Sequence, residues 1–159
     1  MDLLTILLQG LLAGFFSCAL GIILTAPPGY LVPVFLCGFT GRFVRDGLMS
    51  FGLSLNWSTM LAAAAIVLVA AAILRRHSVS PVTLASAILP LAASAAMFDA
   101  ILALMRVSGS TGEALQSASV SLIFNASKLF MTSLAIALGL AAGMLIVRMI
   151  RGENAWGSI

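Results

Sequence analysis

The sequence predicts an all-α fold, a polytopic transmembrane helical bundle, and three observations carry that prediction. Of 159 residues, 62% are hydrophobic and 8% charged, against about 45–50% apolar and about 25% charged in a soluble domain. Mean hydropathy is +1.17. Long runs contain no charge at all, with Gly-, Pro- or Arg-rich punctuation between them. Too few charges remain to clothe a water-facing surface, which argues against a soluble enzyme. The net charge of +3 is too small an excess for a nucleic-acid binder and fits loop charges flanking a membrane.

A hydrocarbon core about 30 Å thick needs roughly 20 apolar residues in helix. Residues 3–25 meet that length, and Ala26-Pro27-Pro28-Gly29 ends the run. Met1-Asp2 offers no basic leader, so this run reads as a retained span rather than a cleaved signal. The second segment, 31–52, is short and polar-ended: Arg42, Arg45 and Asp46 follow an apolar start. It is either a helix whose charged end faces protein or water, or re-entrant. A helix is the favoured reading and gives five spans. Residues 57–74 form the third, closed by Arg75-Arg76-His77. Residues 82–105 form the fourth, with Pro90 and Asp99 inside it. Residues 117–148 form the fifth, long enough to tilt or to leave the hydrocarbon. Together they make one transmembrane domain, 1–159.

Arg75 and Arg76 flank one span, and Arg148 and Arg151 end the span two further on. Both sites therefore share a side, which the excess of cations makes cytoplasmic, together with the C-terminus.

Polar residues inside such runs are the candidate site. Ser121, Asn125, Lys128, Thr132, Gly139 and Gly143 recur at steps of three, four or seven, one stripe along a helix. Lys128 stands near mid-bilayer, where a charge costs about 2.5–3.5 kcal/mol. Asp99 lies at a similar depth in the preceding span. The two either neutralise each other as an ion pair or act as a proton carrier and an anion site, or Lys128 snorkels toward a boundary. Arg42 and Asp46, spaced i,i+4 with Arg45 beside them, form a local salt bridge or a guanidinium clamp for a carboxylate. Gly10, Gly14 and Gly21, like Gly139 and Gly143, suit close helix packing. Cys18 and Cys37 read as packing residues, Trp57 as an interfacial aromatic. No metal-ligand set, nucleophile–base triad or phosphate loop is present, so neither a cofactor nor an enzyme is expected.

The order of these features resembles the threonine/serine exporter family, in the small membrane subunit that corresponds to the exporter's second half. Gly41 and Arg45, Gly52-Leu53, Trp57-Ser58-Thr59, Pro90, Asn125 and Gly139 carry the resemblance, which covers Pro28 to Ile150. The chain departs from the family pattern after Pro90, where Leu91-Ala92-Ala93-Ser94 lacks a second Pro and a Gly, and at the charged Asp99 and Lys128. The resemblance implies a half-transporter in a bacterial inner membrane, paired with a larger subunit bearing the first half. It would export threonine and serine, or dicarboxylates such as succinate, driven by the proton motive force. Arg42, Arg45, Asn125, Lys128 and Thr132 would contact substrate, and Asp99 with Lys128 would gate or carry a proton. A scaffold that stabilises a larger transporter and a self-sufficient homo-oligomeric carrier are the alternatives.

Overall fold

The computed structural model describes residues 3–73, 81–92, 95–109 and 111–151. Arg75, Arg76, His77 and the tail after Arg151 lie outside the described residues. Six α-helices follow one another: α1 (Leu3–Ile23), α2 (Leu31–Ser50), α3 (Leu55–Ile73), α4 (Pro81–Ala92), α5 (Ala95–Gly109) and α6 (Glu113–Arg151). A 3-10 turn, Pro28–Tyr30, leads into α2. No strand occurs among the described residues. Three helices are long and apolar enough to cross a membrane: α1, α3 and α6.

Helix α1 stops in a left-handed cap. Thr25 takes φ 57°, the Thr25 amide donates to Ile22 O, and the Ala26 amide donates to Gly21 O, which occupies carbonyls the last turn leaves open. Pro27 and Pro28 then prevent continuation. Segment 31–52 forms one helix over 20 residues rather than a re-entrant loop, with Gly52 at φ 87° turning the chain into α3. The expected span over 82–105 contains α4 and α5, and residues 93–94 between them lie outside the described residues. Pro90 stands two residues before α4 ends; lacking an N–H, it withdraws the bond due to the carbonyl one turn earlier and crowds it.

Helix α2 packs on α1, α3 and α4, while α6 packs on α3, α5 and α4. The shared core is built from Cys37, Ala62, Ala63, Ile66, Leu84, Leu91, Ile136 and their neighbours. Small residues set the approach. A Cβ at Gly139 would overlap the backbone carbonyl of Met60 and reach Ala63 Cβ at 2.8 Å, and one at Gly143 would meet Val67 Cβ at 2.9 Å. Both numbers climb together, so α3 and α6 run parallel. On α1 the glycines receive rings instead: Phe35 lies 2.8 Å from a Cβ at Gly14, and Phe39 lies 3.2 Å from one at Gly10. Phe35, Phe39 and Phe43 form a stacked ladder along α2, with Phe15 edge-on to Phe35 at 5.3 Å.

Helix α6 is 39 residues long, about 58 Å at 1.5 Å per residue. The Gly139–Met60 contact sets Leu55 level with Leu134, so the part of α6 before Leu134 runs on past the start of α3, with α5 beside it. Large apolar side chains cover the outside, among them Leu4, Phe16, Phe98, Ile123 and Met149, a surface suited to lipid.

Candidate functional site

The helical period puts Arg42, Arg45 and Asp46 on the side of α2 that faces the bundle, and packing draws them inside. Arg45 is 6% exposed and Asp46 3%. Arg42 Nε lies 2.7 Å from Asp46 Oδ2, with the Arg42 side chain 24% exposed, and Arg45 Nε lies 3.5 Å from Asp46 Oδ1. These are contacts between charges rather than aligned hydrogen bonds, since Arg45 Nε and Asp46 Oδ2 each lack a well-directed partner. Arg45 does make one directed bond: Nη1 donates to Leu91 O at 3.1 Å.

That bond gives the cluster its place. Leu91 is the residue after Pro90, in the last described turn of α4, and its carbonyl accepts from the Arg45 guanidinium, which ties α2 to α4. One turn earlier on α2, a Cβ at Gly41 would collide with Ile66 Cδ1 at 2.5 Å and Leu91 Cδ1 at 2.9 Å. Gly41 thus lets α2 meet α3 and α4 at one level, and Arg45 extends from that contact. Two guanidinium groups against one carboxylate leave one positive charge, and the part-exposed Arg42 is the group that can reach a solute.

The α6 candidates lie elsewhere. Thr132 is buried and its hydroxyl donates to Lys128 O at 2.7 Å. Asn125 is half-buried and Lys128 exposed, its Nζ 5.0 Å from the centroid of the Phe124 ring. Asp99 is exposed on α5, and no ion pair joins it to Lys128 among the described residues. Helix α6 packs on α3, α5 and α4 while α2 packs on α1, α3 and α4, so the α2 charges and the α6 stripe form two separate polar regions.

Among the described residues, the buried hydroxyls Ser17 Oγ and Ser58 Oγ have no hydrogen-bond partner, and Ser17 sits directly against Gly38. Ser17 falls three and seven residues after Gly14 and Gly10, on the same face, so its burial could have been read from the glycine spacing. Cys18 and Cys37 are free; their thiols point at the carbonyls of Leu31 and Ile66, 3.3 and 4.0 Å away. Trp57 is exposed at the start of α3. No group of three metal-ligating side chains occurs among the described residues.

The family model described as Threonine/Serine exporter, ThrE, matches residues 9–150. The chain belongs to the threonine/serine exporter family. Neither the curated proteins nor the solved structures provide a match to it. The match runs from α1 through nearly all of α6, so it takes in both polar regions. Family membership, together with several long apolar helices, makes this a multi-pass membrane protein of a transporter family.

Proposed function

We propose that the chain is one half of a secondary exporter for small carboxylate-bearing metabolites, with threonine and serine as the first candidates and a dicarboxylate such as succinate as the other class. The observation that carries this reading is the buried Arg42–Asp46–Arg45 cluster at the end of α4. A net positive pair of guanidinium groups among apolar helices suits a carboxylate in a bidentate fork. Broken helices whose ends line a site are also a recurring device of secondary transporters.

In this reading Arg42 meets the substrate carboxylate while Arg45 holds α2 to the end of α4. The α6 stripe is a separate polar region, so Asn125 and Thr132 serve polar substrate groups at a second stage of passage, and Asp99 with Lys128 supplies proton coupling. The other half of the exporter is a larger membrane subunit, and the assembly sits in a bacterial inner membrane with the C-terminus of this chain in the cytoplasm.

The test is counterflow of labelled threonine, serine and succinate in proteoliposomes, with this chain alone and together with the larger subunit. Arg42→Gln is expected to lower uptake at least tenfold with assembly retained, because its side chain lies at the rim of the cluster. Arg45→Ala removes a buried charge partner, a change that typically costs about 3–5 kcal/mol, so it should lower both stability and uptake. Unchanged uptake by Arg42→Gln would sink the carboxylate clamp.

A further inference from the structure

Helices α5 and α6 form an antiparallel hairpin. A shallow groove between the two helices, about 230 Å³, is lined by Ala103, Arg106, Ala114, Ser117, Ala118 and Ser121. Asp99 precedes Arg106 by seven residues, and Lys128 follows Ser121 by seven. Seven residues return a helix to within about 20° of the same face, so Asp99 and Lys128 open on the side where the groove lies.

Their levels also match. Asp99 precedes the end of α5 at Gly109 by ten residues, and ten residues beyond Glu113 is Ile123. Lys128 is five residues further along, about 7.5 Å. Helical side chains lean toward the N-terminus of their own helix. In this hairpin the lean carries Lys128 back toward the level of Asp99, as its Nζ over the ring of Phe124 shows, and carries Asp99 toward the level of Lys128.

Both residues are exposed, and among the described residues neither has an ionic partner within the chain. Arg106 is already engaged. Phe98, Ile101, Ile123, Phe124 and Met131, all exposed, flank this anion and this cation, which gives the face an apolar border around two charges of opposite sign. Besides the engaged Arg106, the face carries one anion and one cation on opposite sides of a shallow groove, at neighbouring depths, so it is self-complementary at Asp99 and Lys128. A contact between identical faces pairs residue i with j and j with i.

We infer that a second copy of this chain docks on the α5–α6 face in a two-fold dimer, Asp99 of each copy facing the partner's Lys128. Two ionic contacts form, both chains keep one orientation in the membrane, and the apolar flanks of the hairpins cover each other. The dimer does not need the exporter reading, although it engages Asp99 and Lys128, which that reading uses for proton coupling; co-purification reads association whether or not transport occurs.

The experiment uses two differently tagged forms of the full chain, expressed together and purified in lipid nanodiscs, with co-purification of the second tag as the readout. Wild type is expected to co-purify with itself. Asp99→Lys alone and Lys128→Asp alone each place like charges opposite one another twice, so self-association should weaken at least tenfold. Expressing Asp99→Lys with Lys128→Asp restores both contacts in the mixed dimer, and co-purification should return to the wild-type level.

A pair formed inside each chain gives the opposite result, since each variant then carries its repulsion within itself and mixing cannot relieve it. Failure of the mixture to recover, undiminished self-association of either variant, or a monomeric wild type would overturn the inference. Thermal unfolding of each variant checks its fold. Should a charge reversal fail to fold, Asp99→Asn and Lys128→Met take its place: each must weaken co-purification, and wild-type association by both would equally overturn the inference.

Discussion

Thr25 holds the left-handed conformation at the end of α1, φ 57°, which a β-branched side chain adopts at a cost of about 1–2 kcal/mol. Its hydroxyl donates to Leu24 O at 2.7 Å, an exposed bond that recovers little of that strain. The two backbone bonds of the cap, from Thr25 to Ile22 O and from Ala26 to Gly21 O, need the left-handed turn but not the side chain. Thr25→Gly should therefore stabilise the protein by about 0.5–1 kcal/mol, the relief of strain being offset in part by the greater freedom of glycine in the unfolded chain. Thermal unfolding in detergent reads this directly, and a lower midpoint for Thr25→Gly would show that the threonine contributes something the cap geometry does not.

Among the helices, one substitution should act in opposite directions at two glycines. At Gly139 a Cβ overlaps the Met60 carbonyl, backbone that cannot rotate away. Gly139→Ala must push α3 from α6 and should cost about 1–3 kcal/mol. At Gly47, inside α2, a Cβ meets nothing within 4 Å, so Gly47→Ala should gain about 0.5–1 kcal/mol from helix propensity. Equal effects at the two sites in the same unfolding assay would discount close helix approach as the reason for Gly139. The physics also explains what the sequence makes legible. Charge-free runs as long as those of α1, α3 and α6 leave little choice but buried or lipid-facing helix. The Arg42–Asp46 pair follows from i,i+4 spacing alone. The partner of Arg45 does not: Leu91 O lies 46 residues away, and a backbone carbonyl carries no signature in the residue that bears it.

At the scale of the whole molecule, contacts along the helices fix which ends lie together. Gly10 meets Phe39 and Gly21 meets Leu31, so α1 and α2 are antiparallel; α3 returns after the turn at Gly52, and Gly139 and Gly143 make α6 parallel to α3. The end of α1 at Thr25 therefore shares a side with the ends of α3 and α6, while Phe51 and Gly112 face the other way. Sequence alone aligned α3 and α6 by counting spans, yet it could not orient α1 until segment 31–52 was known to be one full helix. Single cysteines introduced at Thr25 and Ile150 should accordingly react with a membrane-impermeant maleimide from one side, and cysteines at Phe51 and Gly112 from the other. The native thiols stay silent, Cys37 buried and Cys18 half-covered within α1. On the proposed orientation, with the basic C-terminal end of α6 in the cytoplasm, intact cells should show labelling at Phe51→Cys and Gly112→Cys, and inverted vesicles at Thr25→Cys and Ile150→Cys. The reverse pattern would keep the fold and invert the orientation. Labelling of Thr25→Cys together with Phe51→Cys from the same side would mean that α2 does not cross.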